Sequence, residues 1–374
     1  MRFFFPFCLA ISMGVTAQKP RARDLGIKIG VLPTGKENAI TDVGGVWVGH
    51  TTLIKADSIN TGVTAILPHG GNLFQQKVPA AIYIGNGFGK LTGISQVQEL
   101  GNLEAPIILT NTLSVAAAME GVITHTLNQQ GNATIQSVNA VVGETNDGSL
   151  NDIRGRHVKT VDIIQAIAAA KGGRVVEGNV GAGTGTVCFG WKGGIGTASR
   201  KLPASLGGYT VGILVQTNFG GVLQIDGVPV GEELNKFSFS DRLKNPVDGS
   251  CMIIVATDAP LDSRNLQRLA KRAFMGLAKT GGIASNGSGD YVIAFSTDTS
   301  LRIAHESASL TDKTMVLRND RTSPLFMAAI EATEEAIINS LFAAETVTVR
   351  GVVKAEALPV AKVLSIMRTY RHLQ

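Results

Sequence analysis

Cysteine, aromatic side chains and charge are all sparse in this chain, and each shortage closes off a class of protein. Of three cysteines, Cys8 lies in an apolar N-terminal run, which leaves Cys188 and Cys251 in strand-like apolar surroundings. Two such thiols make neither a disulfide framework nor a metal set and read as core residues. The six histidines, His50, His69, His125, His157, His305 and His372, show no i, i+4 pair around a glutamate of the kind that holds zinc. The formal net charge is only +5, with lysines and arginines scattered along the chain, so no basic face is offered to a nucleic acid. Outside the first residues no stretch reaches the ~18–20 uninterrupted apolar residues of a membrane span. No fixed-period repeat and no Pro/Ser-rich linker divides the chain, which leaves one domain.

What is abundant points to a packed core. Hydrophobic residues make up 44% of the chain, and 44 glycines stand against 5% aromatics. The interior is therefore built from small and β-branched side chains joined by many tight turns. At the N-terminus, Met1-Arg2, an apolar run over 3–15 and the small pair Thr16-Ala17 have the order of a secretory signal. A buried first strand is the alternative. Arg2 ahead of the run and the polar Gln18-Lys19-Pro20-Arg21 behind it favour the leader, with cleavage after Ala17. The mature chain, 18–374, is then expected to be periplasmic or secreted and free of the membrane.

Strand-like runs recur at 46–53, 63–67, 80–84, 106–109, 138–142, 186–189, 209–216, 252–257, 291–295 and 346–353. The clearest helix is marked by Leu266, Leu269, Ala270, Ala273, Phe274, Leu277 and Ala278, which keep one apolar face. A second opens at Ser323-Pro324, as N-cap and first turn, and runs through Ile330, Ile337 and Leu341, with Glu331, Glu334 and Glu335 on the other side. Further helices are expected at 112–127, 160–170 and 361–370. Strands outnumber helices and do not alternate with them regularly, so stacked sheets flanked by helices fit better than a doubly wound sheet.

Two glycine-rich runs invite a nucleotide reading and fail it. In Gly181-Ala182-Gly183-Thr184-Gly185 the third fingerprint glycine is replaced by Thr186, and a strand-like Val187-Cys188-Phe189 follows instead of a helix. Ahead of Gly89-Lys90 the first phosphate-loop glycine is Ile84, and Leu91 takes the Ser/Thr place. Gly287-Ser288-Gly289 is only part of a nucleophile elbow, so a histidine-based serine hydrolase has little support. The remaining chemical signal is Gly249-Ser250, where a polar turn at 245–248 runs into the apolar 252–255. Were the bond before Ser250 cut, its hydroxyl would share a residue with a new α-amine of pKa ~7.7–8.0, able to take the hydroxyl proton. A Gly-Ser pair before a strand is also an ordinary turn.

Five segments taken together resemble the DmpA/BapA family of self-processing aminopeptidases. They are Asn38-Ala39-Ile40-Thr41-Asp42-Val43 leading to Val48-Gly49-His50-Thr51-Thr52; Val142-Gly143-Glu144-Thr145-Asn146-Asp147-Gly148; Gln216-Thr217-Asn218-Phe219-Gly220; Gly249-Ser250 with Ala256-Thr257-Asp258-Ala259-Pro260-Leu261; and 285–294. They span nearly the whole mature chain in the family's order. The resemblance implies an α+β fold, a four-layer αββα sandwich of the N-terminal-nucleophile type. It further implies cleavage between Gly249 and Ser250 by an N-to-O acyl shift into 18–249 and 250–374, and a tetramer of the cleaved pairs.

Carried over by position, the resemblance implies that Ser250 is the nucleophile and that Ser288 and Asp290 form its hydrogen-bond relay. Some members carry a longer glutamate at the Asp290 position. It implies that Asn218 donates to the oxyanion, a contact whose loss typically costs ~2.7–4 kcal/mol. It also implies that Glu144 pairs with the substrate's free ammonium, with Asn146 beside it where DmpA-like members can carry an aromatic. Taken singly, Asn218 also fits a strand-end turn, Ser288 a polar loop and Glu144 a solvated loop acid. No metal or organic cofactor is implied. The expected substrates are small peptides or amides with a free amine, with β-amino acids favoured as in BapA-like members over the α-L-residues and D-residue esters or amides of DmpA-like ones. The rival is an exported protein that only binds amines or peptides in the Glu144/Asn218 cleft.

Overall fold

The computed structural model describes residues 19–239 and 249–370. The leader-like run, the turn at 245–248 and His372 lie outside the described residues. In chain order the main strands are β1 (Trp47–Lys55), β2 (Ile59–Leu67), β3 (Gln76–Gly87), β4 (Ile107–Asn111), β5 (Val141–Thr145), β6 (Gly194–Lys201), β7 (Thr210–Asn218), β8 (Ser250–Thr257) and β9 (Gly289–Ser296). The main helices are α1 (Val115–Leu127), α2 (Thr160–Ala168), α3 (Ser263–Lys279) and α4 (Ser323–Ala343). One sheet has the order β1-β2-β4-β5 and the other β3-β9-β8-β7-β6. Within the second, β8 runs parallel to β9 and antiparallel to β7.

Alternation along β8 explains the layering. Met252, Ile254 and Ala256 pack into one cluster with Val48, Ile66, Ile107, Leu109 and Val141 of the other sheet. Cys251, Ile253 and Val255 point the opposite way, into a cluster with Leu266, Leu269, Ala273 and Leu277 of α3 and Ile337 and Leu341 of α4. On the far side, Val63, Ala65, Ile108 and Val142 cover Ala118, Val122, Ile163 and Ala166 of α1 and α2. Side chains that alternate with period two thus bury both faces of both sheets, and the layers read α, β, β, α. Gln216 on β7 ties the sheets together, its amide donating to the Thr110 carbonyl, the Thr145 hydroxyl and the Ala182 carbonyl at 2.9–3.1 Å.

The structure departs from the expected elements at several places. The 346–353 run is a hairpin of Val347–Val349 and Val352–Ala355, and 186–189 contracts to Val187–Cys188. Strand β6 was not expected, because its sequence mixes glycine with Thr197, Ser199 and Arg200. Its glycines meet close backbones: a Cβ on Gly196 would lie 1.9 Å from the Ala336 carbonyl oxygen of α4, and one on Gly194 2.4 Å from the Gly178 carbonyl oxygen. Helix α4 starts at Ser323 with Pro324 in its first turn, but its N-cap residue is Thr322 and makes no side-chain cap bond.

The acidic side of α4 is not exposed. Glu331, Glu334 and Glu335 are all buried, because the helix is enclosed and arginines meet it from two directions. Arg200 of β6 donates to Glu331 at 2.9 Å and to Glu335 at 2.7 Å, and Arg23 donates to Glu335 at 2.7 Å. Asn38 adds a 2.6 Å bond to Glu335, and Lys279 reaches Glu334 at 2.6 Å. This network fastens residues 21–38 across the helix. Removing one partner of a buried ionic cluster strands the others, so Glu335→Ala is expected to lose about 3–5 kcal/mol; urea unfolding followed by circular dichroism measures it.

Candidate active site

Four strand ends meet at one end of the sandwich. β7 finishes at Asn218 opposite Ser250, Ser250 begins β8 beside Gly289 at the start of β9, and Gly289 lies opposite Gly87 at the end of β3. They border a cleft of about 790 Å³ whose walls include Glu144, Asn146, Asn218, Gly249 and Ser250. The same alternation that sends Met252 and Ile254 toward the other sheet sends Ser250 that way, and Asn218 follows Leu214 and Gln216 in facing it too.

Ser250 is 6% exposed. Its hydroxyl donates to the carbonyl oxygen of Gly249 at 2.6 Å, and the Gly289 N–H approaches Ser250 Oγ at 3.3 Å. On either side of Gly289 in the chain Ser288 and Asp290 are buried, Asp290 level with Cys251, and among the described residues neither the Ser288 hydroxyl nor either Asp290 oxygen has a partner in hydrogen-bond geometry. Burial pushes the Asp290 carboxyl up to about 6, while the neighbouring Ser288 hydroxyl and Cys251 backbone pull less strongly the other way. A carboxylate tuned to that range is a competent proton acceptor at neutral pH, and an adjacent uncommitted hydroxyl can pass the proton along.

Asn218 is fixed at both ends of its amide. Its Oδ1 accepts from the Val187 N–H at 2.9 Å, and its Nδ2 donates to the Asn146 carbonyl at 3.0 Å. An amide NH₂ has two hydrogens, so one remains for a ligand in the cleft. The Asn146 side chain itself accepts from the Gly148 N–H at 2.9 Å in a turn; its backbone oxygen, not its amide, holds Asn218.

Glu144 is no solvated loop acid. It lies on β5, 3% exposed. Oε1 accepts from the Lys90 N–H at 2.9 Å, and Oε2 accepts from the Thr112 hydroxyl. Thr112 and Lys90 were not singled out from the sequence. Thr112 read as the first residue of a helix, whereas it sits in a short 3₁₀ turn, Thr112–Ser114, ahead of α1. Lys192 was missed as well. It is fully buried, with its ammonium on the carbonyls of Gly183 and Gly193 at 2.8 and 2.7 Å, and burial lowers its pKa to about 7. It clamps the segment that carries Val187, the residue that orients Asn218. No signal in the sequence marks these three: Lys90 and Thr112 act through contacts with Glu144 far along the chain, and Lys192 through a burial that only the fold creates.

The Asp290 site has a consequence for stability. Its folded pKa of about 6 lies above the ordinary 3.8, so the folded state binds the proton more tightly. The carboxyl costs no stability below pH 3.8, and the folded state is progressively penalised as pH rises through 6. Asp290→Asn is therefore expected to melt at a higher temperature than the parent at pH 8 and to lose that advantage at pH 4; thermal melts at the two pH values check it.

Comparison with known proteins gives this geometry a context. The family model described as peptidase family S58 matches residues 38–354. The beta-peptidyl aminopeptidase BapA of Sphingosinicella microcystinivorans is 40% identical over 99% of this chain and 98% of its own length. Among solved structures, a Burkholderia sp. beta-aminopeptidase is 42% identical with a TM-score of 0.86, covering 94% of this chain and 99% of its own. The L-aminopeptidase D-Ala-esterase/amidase of Ochrobactrum anthropi, described as a variant of the N-terminal-nucleophile hydrolase fold, is 35% identical with a TM-score of 0.88 over 95% of this chain and 100% of its own.

Proposed function

The chain belongs to peptidase family S58 and is an aminopeptidase, and from that premise we propose that it is an exported, self-processing enzyme that releases N-terminal β-amino acids through an acyl-enzyme on Ser250. The observation that carries the reading is the Ser250 hydroxyl held 2.6 Å from the Gly249 carbonyl oxygen on the wall of a cleft that also holds Glu144. A hydroxyl on its own preceding carbonyl is placed for an N-to-O acyl shift. Hydrolysis of the resulting ester leaves Ser250 with a free α-amine, whose ordinary pKa of ~7.7–8.0 suits it to deprotonate the adjacent hydroxyl. No imidazole is needed.

In turnover, Glu144 receives the substrate ammonium, its two oxygens aimed by the Lys90 N–H and the Thr112 hydroxyl. That pairing restricts the site to a residue with a free amine and explains release of one residue at a time. Ser250 attacks the first carbonyl carbon, the remaining Asn218 amide hydrogen supports the oxyanion, and Ser288 with Asp290 exchanges the proton. The leaving amine departs protonated and water releases the acyl group. The preference for β-residues is supported by the likeness to the Sphingosinicella beta-peptidyl aminopeptidase and the Burkholderia beta-aminopeptidase; the Ochrobactrum enzyme supports the alternative of L-residues and D-alanyl esters or amides. The leader-like 1–17 supports export, and the resemblance supports a tetramer of cleaved pairs. The non-catalytic binder is set aside by the aminopeptidase family.

A side-by-side assay of β-alanyl and α-alanyl anilides tests the reading, with faster release from the β-alanyl anilide expected and the reverse order pointing to the alternative. Ser250→Ala is expected to abolish release from both. Glu144→Gln removes the charge that meets the ammonium and is expected to raise KM by roughly 10- to 100-fold, the worth of a hydrogen bond to a charged group, with a smaller effect on kcat; steady-state kinetics separates the two.

A further inference from the structure

We propose that the backbone N–H of Gly289 is the oxyanion donor for self-cleavage, and that this step does without the Asn218 amide that serves peptide hydrolysis. The inference rests on the self-processing reading and adds to it that the two reactions use different donors. The Gly249 carbonyl oxygen, where charge must develop when the 249–250 bond is attacked, already accepts from the Gly289 N–H at 3.2 Å and from the Ser250 hydroxyl at 2.6 Å. The hydroxyl has to turn away to react, and the Gly289 N–H then remains. Asn218 does not compete for this oxygen: its amide bonds go to the Asn146 carbonyl and from the Val187 N–H.

The donor is rigid because no side chain intervenes around it. A Cβ on Gly289 would lie 2.6 Å from Gly89 Cα and 2.7 Å from Gly89 N, and a Cβ on Gly249 would lie 2.7 Å from Phe219 Cα and 2.8 Å from the Asn218 carbonyl oxygen. The bond to be cut is thus wedged between two neighbouring backbones, with the start of β9 supplying the donor at a fixed place. A preorganised donor at the developing charge is worth most in such a water-poor setting.

The step balances without an outside reagent other than water. Ser250 Oγ bonds to the Gly249 carbonyl carbon while its proton passes by way of Ser288 to the Asp290 carboxylate. The carbonyl electron pair moves onto the Gly249 oxygen, against the Gly289 N–H. The C–N bond then breaks, the Ser250 nitrogen takes the proton and becomes an amine, and Gly249 is left as an ester on Oγ. Water hydrolyses that ester to the Gly249 carboxylate and a free hydroxyl. A substrate carbonyl subsequently enters from the cleft, where the unused Asn218 hydrogen is the donor.

Asn218→Asp separates the two reactions, since it retains an acceptor for the Val187 N–H and removes the donor. Freshly made full-length protein is followed by denaturing gel and intact mass, and the same samples are assayed on an anilide. The expected result is splitting at 249–250 at the parent's rate with kcat lowered roughly 100- to 1000-fold. An Asn218→Asp chain that stays intact, or one that splits and keeps the parent's kcat, overturns the proposal. Gly289→Ala, which pushes the donor away from Gly249, is expected to give a chain that stays whole with parent-like circular dichroism; splitting at the parent's rate overturns the proposal, and if that variant does not fold the Asn218→Asp result decides. Should Ser250→Ala itself split at this bond, the self-processing reading fails, a different outcome from either of these.

Discussion

The site depends on the register in which the start of β8 is held between its two neighbours. Asn218 stands opposite Ser250 on one side and Gly289 beside it on the other, and that single alignment sets which way the hydroxyl points and which amide meets the Gly249 carbonyl. Because side chains alternate across a strand, a slip of one residue would turn Ser250 toward the helices and bring Cys251 to the cleft. The alignment is enforced by burial, since every residue of β8 is buried and its two faces feed two different cores. Chemistry on a strand end is placed by the whole sheet, with no help needed from a flexible loop.

Around this rigid centre the buried polar groups serve different ends. Several hold the fold through pairs: the Gln216 amide NH₂ spans the two sheets, Arg23 and Arg200 of β6 meet glutamates of α4, and Lys192 spends its ammonium on two carbonyls. The two that flank Gly289 differ. The Ser288 hydroxyl and the Asp290 carboxylate are buried without a satisfying partner among the described residues, an arrangement that costs stability and is retained where a proton must be moved. The acid that faces the cleft, Glu144, is instead pinned at both oxygens, which suits a group that has to keep its place.

Much of the architecture was readable because burial imposes a period. The apolar runs behind 252–257 and 291–295 correspond to β8 and β9, and the 3-4 spacing from Leu266 to Ala278 to α3, with Asp262 capping its first turn through the Asn265 N–H. What escaped is what tertiary contact overrides. Strand β6 carries Gly196 because α4 presses on it, Gly194 because the backbone of Gly178 does, and an arginine because α4 offers glutamates, so none of these looks like a strand until its neighbours are in place. The burial of the acidic side of α4 has no mark in the sequence for the same reason. At the site, family resemblance pointed to Ser250, Ser288, Asp290, Asn218 and Glu144; Ser250, Asn218 and Glu144 line one cleft, while Ser288 and Asp290 are buried on either side of Gly289, the residue level with Ser250. The supports Thr112, Lys90 and Val187 act through contacts between segments far apart in the chain, and Lys192 through its burial, so none leaves a local pattern.

The central claim is that activity belongs to a chain opened before Ser250, with hydroxyl and amine on the same residue. Edman sequencing of a fully active preparation tests it most directly. The account predicts two sequences in equal amount, one of them beginning Ser-Cys-Met-Ile from residue 250. A preparation at full specific activity that yields no chain starting at that serine contradicts it.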